Sequence, residues 1–264
     1  MVRIINFGMT NQMETEGLIQ TWVNNLEDLV RVESENIMEA QRKYLRAPYK
    51  DPKKWFLVLE LKKMHKMMFG NVWDSAGKYR KTLSVDGSEP QKIAVHIAKL
   101  CLEVHSWLDD VLKYSMLQMA AVIHFRLVEI KPFEKGNRRF ARLVSDRFLS
   151  SFKCPYPVWP AESSSIYQEA LDHARKGNLS LLVEYMHQLG AEDPSLLELL
   201  TNSAFSKYIK DKKGILLVKT MLGKKKTVKE LVENGNAIIK LAEKKKLTEI
   251  AKILSIAKAC NESY

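Results

Sequence analysis

EIKPFEKGNRRFAR, running from Glu129 to Arg142, places a helix-stopping proline, a glycine and a cluster of arginines side by side. Upstream of it, apolar residues recur at three- and four-residue spacing, with Met116, Met119, Ala120, Ile123, His124, Leu127 and Val128 forming one inward stripe. Pro132 ends that helix, because its ring removes a backbone donor and disfavours helical angles at the residue before it. A second helix is expected from about Asn137, with Phe140, Leu143, Val144, Phe148 and Leu149 on one side. Its first turn would present open backbone N–H groups and the positive end of the helix dipole, which together make an anion site. Asn137 adds an amide, and Arg138, Arg139 and Arg142 add charge, with Arg139 and Arg142 three apart on neighbouring parts of one face. That pattern suits a di- or triphosphate, although taken alone it more often marks a solvated basic turn.

Outward from this stretch the chain continues to read as helix. KCPYPVWP breaks the pattern with Pro155, Pro157 and Pro160, and helices are expected over Ser164 to Ala174 and Ser180 to Leu189, closed by Gly177 and Gly190. Upstream, ESENIMEAQRKYL forms one amphipathic helix, and DPKKWFLVLELKKMHKMMFG a single further one, opened by Asp51 and Pro52 and closed by Gly70. In YRKTLSVDGSEPQ, β-formers alternate around Asp86 and Gly87, so a β-hairpin is expected there. Short helical patterns resume after GAEDP, to the end of the chain. The expected fold is an all-α bundle with a short β-hairpin flap and a C-terminal helical extension. Its organisation would be an N-terminal helical segment over 1–50, a core over 51–190 and a Lys-rich extension over 191–264.

The 264 residues are 46% hydrophobic and 28% charged, the balance of a globular chain and not of a disordered one. No run approaches the ~20 apolar residues of a membrane span, and the N-terminus lacks the apolar stretch of a secretory signal, so a cytoplasmic location without membrane contact is expected. Cys101, Cys154 and Cys260 have no paired spacing, and none of the histidines has ligand spacing, so neither disulfides nor a metal site is expected. His124 falls on an inward stripe and reads as a hydrogen-bonded core histidine, while Trp73, Trp107 and the methionines of MHKMM read as packing residues. The net charge of +11 comes largely from lysines interleaved with glutamates near the C-terminus. Such runs are usually solvated helix faces, and without interleaved aromatics nucleic-acid binding is not expected.

The central stretch resembles the Fic/Doc (Fido) signature, which reads H-P-F-x-D/E-G-N-G-R-x-x-R. Pro132, Phe133, Gly136, Asn137, Arg139 and Arg142 match it. The likeness extends to LKKMHKMMFGNVWDSAGKYRKT and AVIHFRLVEIKPF, and near the N-terminus ETEGLI and ESENIMEAQ resemble the Fic subfamily called mobile mystery protein B. It covers roughly 14–190. The resemblance implies transfer of a nucleotide part, usually AMP from ATP, to a protein hydroxyl. It also implies that Gly136, Asn137, Arg138, Arg139 and Arg142 handle phosphates, with Asn137 and Arg139 at catalytic positions. Thr82, Leu83, Ser84 and Val85 would dock a protein target by strand addition. Glu35, in a partial inhibitory motif, would pair with Arg142.

Three departures decide the functional expectation. Lys131 stands where the family has its base, a histidine; Lys135 replaces the acidic residue that binds magnesium; Arg138 replaces the second glycine. A hydroxyl nucleophile needs a base in reach as it attacks, and a lysine has a reference pKa of about 10.4. Lowering it by three units would cost ~4 kcal/mol, and a bound polyphosphate would oppose the change. Lys131 is therefore expected to bind phosphate and not to accept a proton, and the loss at 135 counts against Mg2+. The expectation is a degenerate Fic-fold protein that binds ATP or another nucleotide, with protein adenylylation weak or lost. The alternative is an active adenylyltransferase, or a Doc-like phosphotransferase favoured by the cation at Arg138, using a substitute base.

Overall fold

The structure is a computed structural model, and it describes residues 15–46, 51–109, 115–160 and 164–193. Of the two compact units into which the chain divides, Met1–Trp107 with Ser115–Asp193 carries the site. The expected extension after 193 lies outside the described residues, as does the APYK part of the link before Asp51.

The described residues are helical. The order is α1 (Leu26–Leu45), α2 (Pro52–Trp55), α3 (Val58–Phe69), α4 (Pro90–Asp109), α5 (Met116–Ile130), α6 (Asn137–Ser150), α7 (Ser165–Arg175) and α8 (Ser180–Gln188). Local chemistry sets the starts. Asn25 caps α1 by accepting from the Asp28 N–H, and Ser115 opens α5 with a reciprocal capping box to Gln118. At the far end of α5, Lys131 takes left-handed angles of φ 44° and ψ 64°, and Pro132 prevents continuation.

α5 and α6 pack most extensively on one another, α1 lies against α3 and α6, and α7 pairs with α8. Phe69, Phe133, Phe140 and Phe148 are fully buried between these helices. The N-terminal segment is tied to the turn after α3: the Ile19 N–H donates to Val72 and the Asp74 N–H to Gly17. Helix α1 lies in the same compact unit as α3 and α6.

Two expectations are corrected. The helix expected from Asp51 to Gly70 is broken at Phe56 and Leu57, giving α2 and α3. The break lets the adjacent Trp55 and Phe56 both be buried, and it releases the Phe56 carbonyl to accept from the His105 ring. No β-hairpin forms either. Among the described residues, Tyr79 makes an isolated bridge with Phe133, and 81–88 is an irregular loop with a turn at Val85 and Asp86. Its Thr82 and Ser88 carbonyls, which a ladder would use, accept instead from the buried guanidinium of Arg80.

Among the described residues no helix is long and apolar enough to cross a membrane, and no group of three or more His, Cys, Asp or Glu side chains could hold a metal ion.

Candidate functional site

The turn between α5 and α6 is braced from behind by aromatic and amide groups. Phe133 stacks on His65 with ring centroids 3.6 Å apart, and Phe140 meets it edge-on at 5.1 Å. The Asn137 side chain closes the turn on itself, accepting from the Phe133 N–H at 2.9 Å and donating to the Phe133 carbonyl at 2.7 Å. This amide therefore shapes the turn with both of its polar atoms. Gly136 precedes it with a φ of 74°, and a side chain there would place Cβ 2.3 Å from the Phe69 ring. Only glycine fits both the angle and the space.

His65 ties three segments together. The Gly77 N–H donates to Nδ1 at 3.0 Å, which leaves the proton on Nε2 to donate to the Lys135 carbonyl, also at 3.0 Å. Burial pushes this imidazole down to about 3, with the nearby Arg139 charge adding to the effect against the opposing hydrogen bond to the Lys135 carbonyl. It is a neutral structural pin.

Lys131 carries its ammonium toward the loop. Nζ donates to Asp86 Oδ2 at 3.0 Å, and the Lys131 carbonyl accepts from Arg80 Nε at 2.6 Å. The hydrogen bond from Lys131, then its charge, hold the Asp86 carboxyl below the usual carboxylate range, and Arg175 and Arg138 contribute more weakly. Asp86 is therefore the acidic partner of the position where the signature would have a base.

The arginines divide in a way the spacing does not show. Arg139 pairs with the buried Glu33 of α1, Nη1 to Oε2 at 2.8 Å and Nη2 to Oε1 at 3.3 Å, and lies over the Phe69 ring. Glu33 also accepts from Trp73 Nε1 at 2.6 Å. Arg138 is exposed on the first turn of α6. Arg142 is buried; its Nη1 donates to the Pro160 carbonyl at 3.1 Å and its guanidinium lies over Trp159 and Tyr167. It belongs to an interior network. There Trp159 Nε1 donates to the buried Asp146 at 2.9 Å, and His124 Nε2 meets the Tyr167 hydroxyl at 2.9 Å.

Glu35 is exposed and does not pair with Arg142. The glutamate that reaches a signature arginine is Glu33, and that arginine is Arg139. The physical reason is helical phase. Val32, Glu33, Asn36, Ile37 and Ala40 make the buried stripe of α1, and Glu35 falls on its opposite side. That periodicity could have found Glu33 in the sequence. Arg80 gave no comparable signal, because its partners are main-chain carbonyls from three separate stretches.

Magnesium does not fit the residues present. Lys135 lies with its ammonium 4.5 Å from the centroid of the Trp73 ring, and the carboxylate of the turn, Glu134, accepts from the Lys81 N–H and the Thr82 hydroxyl. The remaining charges on the turn are cationic. Mg2+ is usually held by one or two carboxylates together with substrate phosphates, and the carboxylate of this turn is engaged by the loop.

The α6 N-terminus has no side-chain cap. With Lys131, Arg138 and Arg139 around it, the turn attracts anions, while the loop offers Leu83 and Val85 as exposed apolar side chains above it. Thr82 and Lys81 are likewise exposed, and Ser84 half-buried.

Residues 55–149 match the family model described as Fic, the Fic/DOC family. Among characterised proteins, the chain is 28% identical over 130 residues to protein adenylyltransferase fic-1 of Caenorhabditis briggsae, and likewise to that of Caenorhabditis elegans. Either match takes in 48% of this chain and 26% of the relative, so the chain spans about a quarter of the relatives' length. Among solved structures, the N-terminal Fic domain of a VirB-translocated Bep effector from Bartonella quintana superposes with a TM-score of 0.55 at 15% identity, covering 71% of this chain and 96% of that one. BepC from Bartonella tribocorum, with bound AMPPNP, gives 0.54 at 14% identity over 69% and 99%. Residues 134–508 of Fic-1 from C. elegans give 0.52 at 22% over 65% and 50%. At these identities the structural likeness establishes the fold.

Proposed function

From the match of residues 55–149 to the Fic/DOC family model, we propose that this chain binds the phosphates of ATP or another nucleotide at the turn from Lys131 to Arg139, with protein adenylylation weak or lost. The observation that carries the reading is the Lys131 ammonium donating to Asp86 at 3.0 Å. An ammonium has no lone pair to take a proton from an incoming hydroxyl, so the residue at the base position acts as a cation. The relatives it resembles are protein adenylyltransferases, and one solved neighbour holds AMPPNP.

Phosphate binding would draw on the α6 N-terminus and on Lys131, Arg138 and Arg139, with Gly136 allowing close backbone approach. Arg142 would act indirectly, by holding the Pro160 carbonyl and the inner face of α6. A protein partner would meet the exposed loop residues Thr82, Leu83, Ser84 and Val85. The second reading, a Doc-like γ-phosphate transfer, is favoured by the exposed cation of Arg138 at the position of the signature's second glycine.

The test is label transfer with purified chain, cell lysate and ATP labelled separately at the α and γ phosphates, alongside calorimetric ATP binding, for wild type and Lys131→His. ATP binding without label transfer by wild type is the expected result. Transfer of α label by wild type overturns the reading in favour of an adenylyltransferase, and transfer of γ label in favour of the phosphotransferase.

A further inference from the structure

We propose that Asp86 is a built-in anion that latches the 81–88 loop to Lys131, so that an anionic ligand gains Lys131 only by displacing the loop's own carboxylate. The identity of that ligand as a nucleotide polyphosphate rests on the function proposed above; the latch itself does not.

The loop is shaped before the latch closes. Arg80, almost fully buried, donates through Nε to Lys131, through Nη1 to Thr82 at 2.6 Å and through Nη2 to Ser88 and, at 3.4 Å, to Ile130. One guanidinium therefore gathers both ends of the loop and the end of α5. Main-chain bonds repeat the attachment, from the Arg80 N–H to Pro132 at 3.0 Å and from the Ser88 N–H to Ile130 at 3.2 Å. Gly87 sits so close that a Cβ would lie 2.6 Å from Arg80 Nη2 and 3.2 Å from Lys131 Cβ. Asp86 and Lys131 thus meet from two backbones already held in place. The pair still orders two side chains, as any surface ion pair does, but the segments that carry them are already held.

The surroundings leave the carboxylate one direct partner. The charges that face Asp86 are Lys131 at the end of α5, Arg138 on α6 and Arg175 on α7. Arg175 is itself held by Glu129 and Asp172. Glu134, the nearest acid of the turn, binds the opposite limb of the loop at Lys81 and Thr82. Asp86 thus stands among the cations that a phosphate would seek, bonded to one of them. A polyphosphate, with more charge and more acceptor oxygens, can replace it.

The experiment is hydrogen exchange of loop amides 82–88 in the full chain, together with calorimetric titration of ATP and of inorganic tripolyphosphate, for wild type, Asp86→Asn and Lys131→Met. Asp86 is solvent-exposed, so the asparagine variant retains the fold. Faster loop exchange in both variants, with Asp86→Asn binding either anion about two- to fivefold more tightly than wild type and Lys131→Met more weakly, is the expected result. Faster loop exchange in both variants while no chain binds either anion supports the latch and overturns the nucleotide reading. Unchanged exchange in both variants overturns the latch. Faster exchange in Asp86→Asn with equal or weaker anion binding overturns the competition.

Discussion

The open start of α6, the front, and its sealed interior, the back, use the same kinds of side chain to opposite ends. On the front, Lys131 meets Asp86 and Arg139 meets Glu33, each cation opposite a carboxylate beside an anion-attracting helix start. On the back, Arg142, Asp146, His124 and Trp159 are sealed into the core, where polar groups are held by specific hydrogen bonds and by rings. Arg139 and Arg142 are three residues apart in sequence, yet one lines the site and the other supports it. A shared helix face is therefore a poor guide to a shared role once the neighbouring loop, here at Pro160, folds over part of that face.

The comparison can be broken most decisively at the glycine that opens α6. Gly136→Ala adds a Cβ at positive φ into the Phe69 ring, and unfolding in urea should show a loss of about 2–4 kcal/mol. A loss under about half a kcal/mol would mean that the turn has room to adjust.

Acid should separate back from front next. His65 and His124 are pushed down to about 3 by burial, so the unfolded chain takes up their protons near pH 6.5 while the folded chain does not. Each contributes a loss of ~1.4 kcal/mol per pH unit as pH falls from about 6.5 toward 3. Burial raises Asp146, so wherever the folded chain holds a proton there that the unfolded chain lacks, part of this loss is offset. The expected net result is a loss of stability as pH falls from about 6.5, steepening below about pH 4 as the unfolded Asp146 protonates too. A flat stability profile from pH 6.5 to 4 would show that these histidines are not kept neutral by burial.

A smaller effect probes the interior hydrogen bond. Trp159→Phe keeps most of the ring packing but removes the donor to Asp146, for an expected cost of about 1–3 kcal/mol in unfolding experiments. Glu33→Gln sharpens the front: it takes the carboxylate from a pair whose Glu33 side is buried, for an expected cost of about 3–5 kcal/mol in unfolding experiments. Releasing Arg139 should strengthen ATP binding in calorimetry, whereas Glu35→Gly should leave it unchanged; equal effects from the two would refute the assignment of Glu33 as the partner.

How far the sequence disclosed this arrangement depended on the range of the interactions. The stop at Pro132, the start at Asn137 and the buried phase of His124 follow from local rules, and α5 and α6 lie where those rules put them. The Fic/DOC resemblance pointed to the fold. The expected hairpin failed because β-forming residues around Asp86 and Gly87 carry no information about Arg80, whose side chain takes the carbonyls that strand pairing would use. The helix expected through Phe56 failed because burying two adjacent aromatics against different neighbours outweighs helical continuity. Glu33 was within reach of periodicity, but attention to a motif selected Glu35 two residues away.

The left-handed residue at the end of α5 has a wider meaning. The backbone of Lys131 is fixed by what surrounds it: Pro132 follows, Arg80 grips its carbonyl, and its N–H bonds to Leu127. None of these contacts involves the lysine side chain, which reaches only the exposed Asp86. The position is thus an interchangeable socket. A scaffold built this way can exchange a proton acceptor for a cation, or the reverse, while the walls around it stand unchanged.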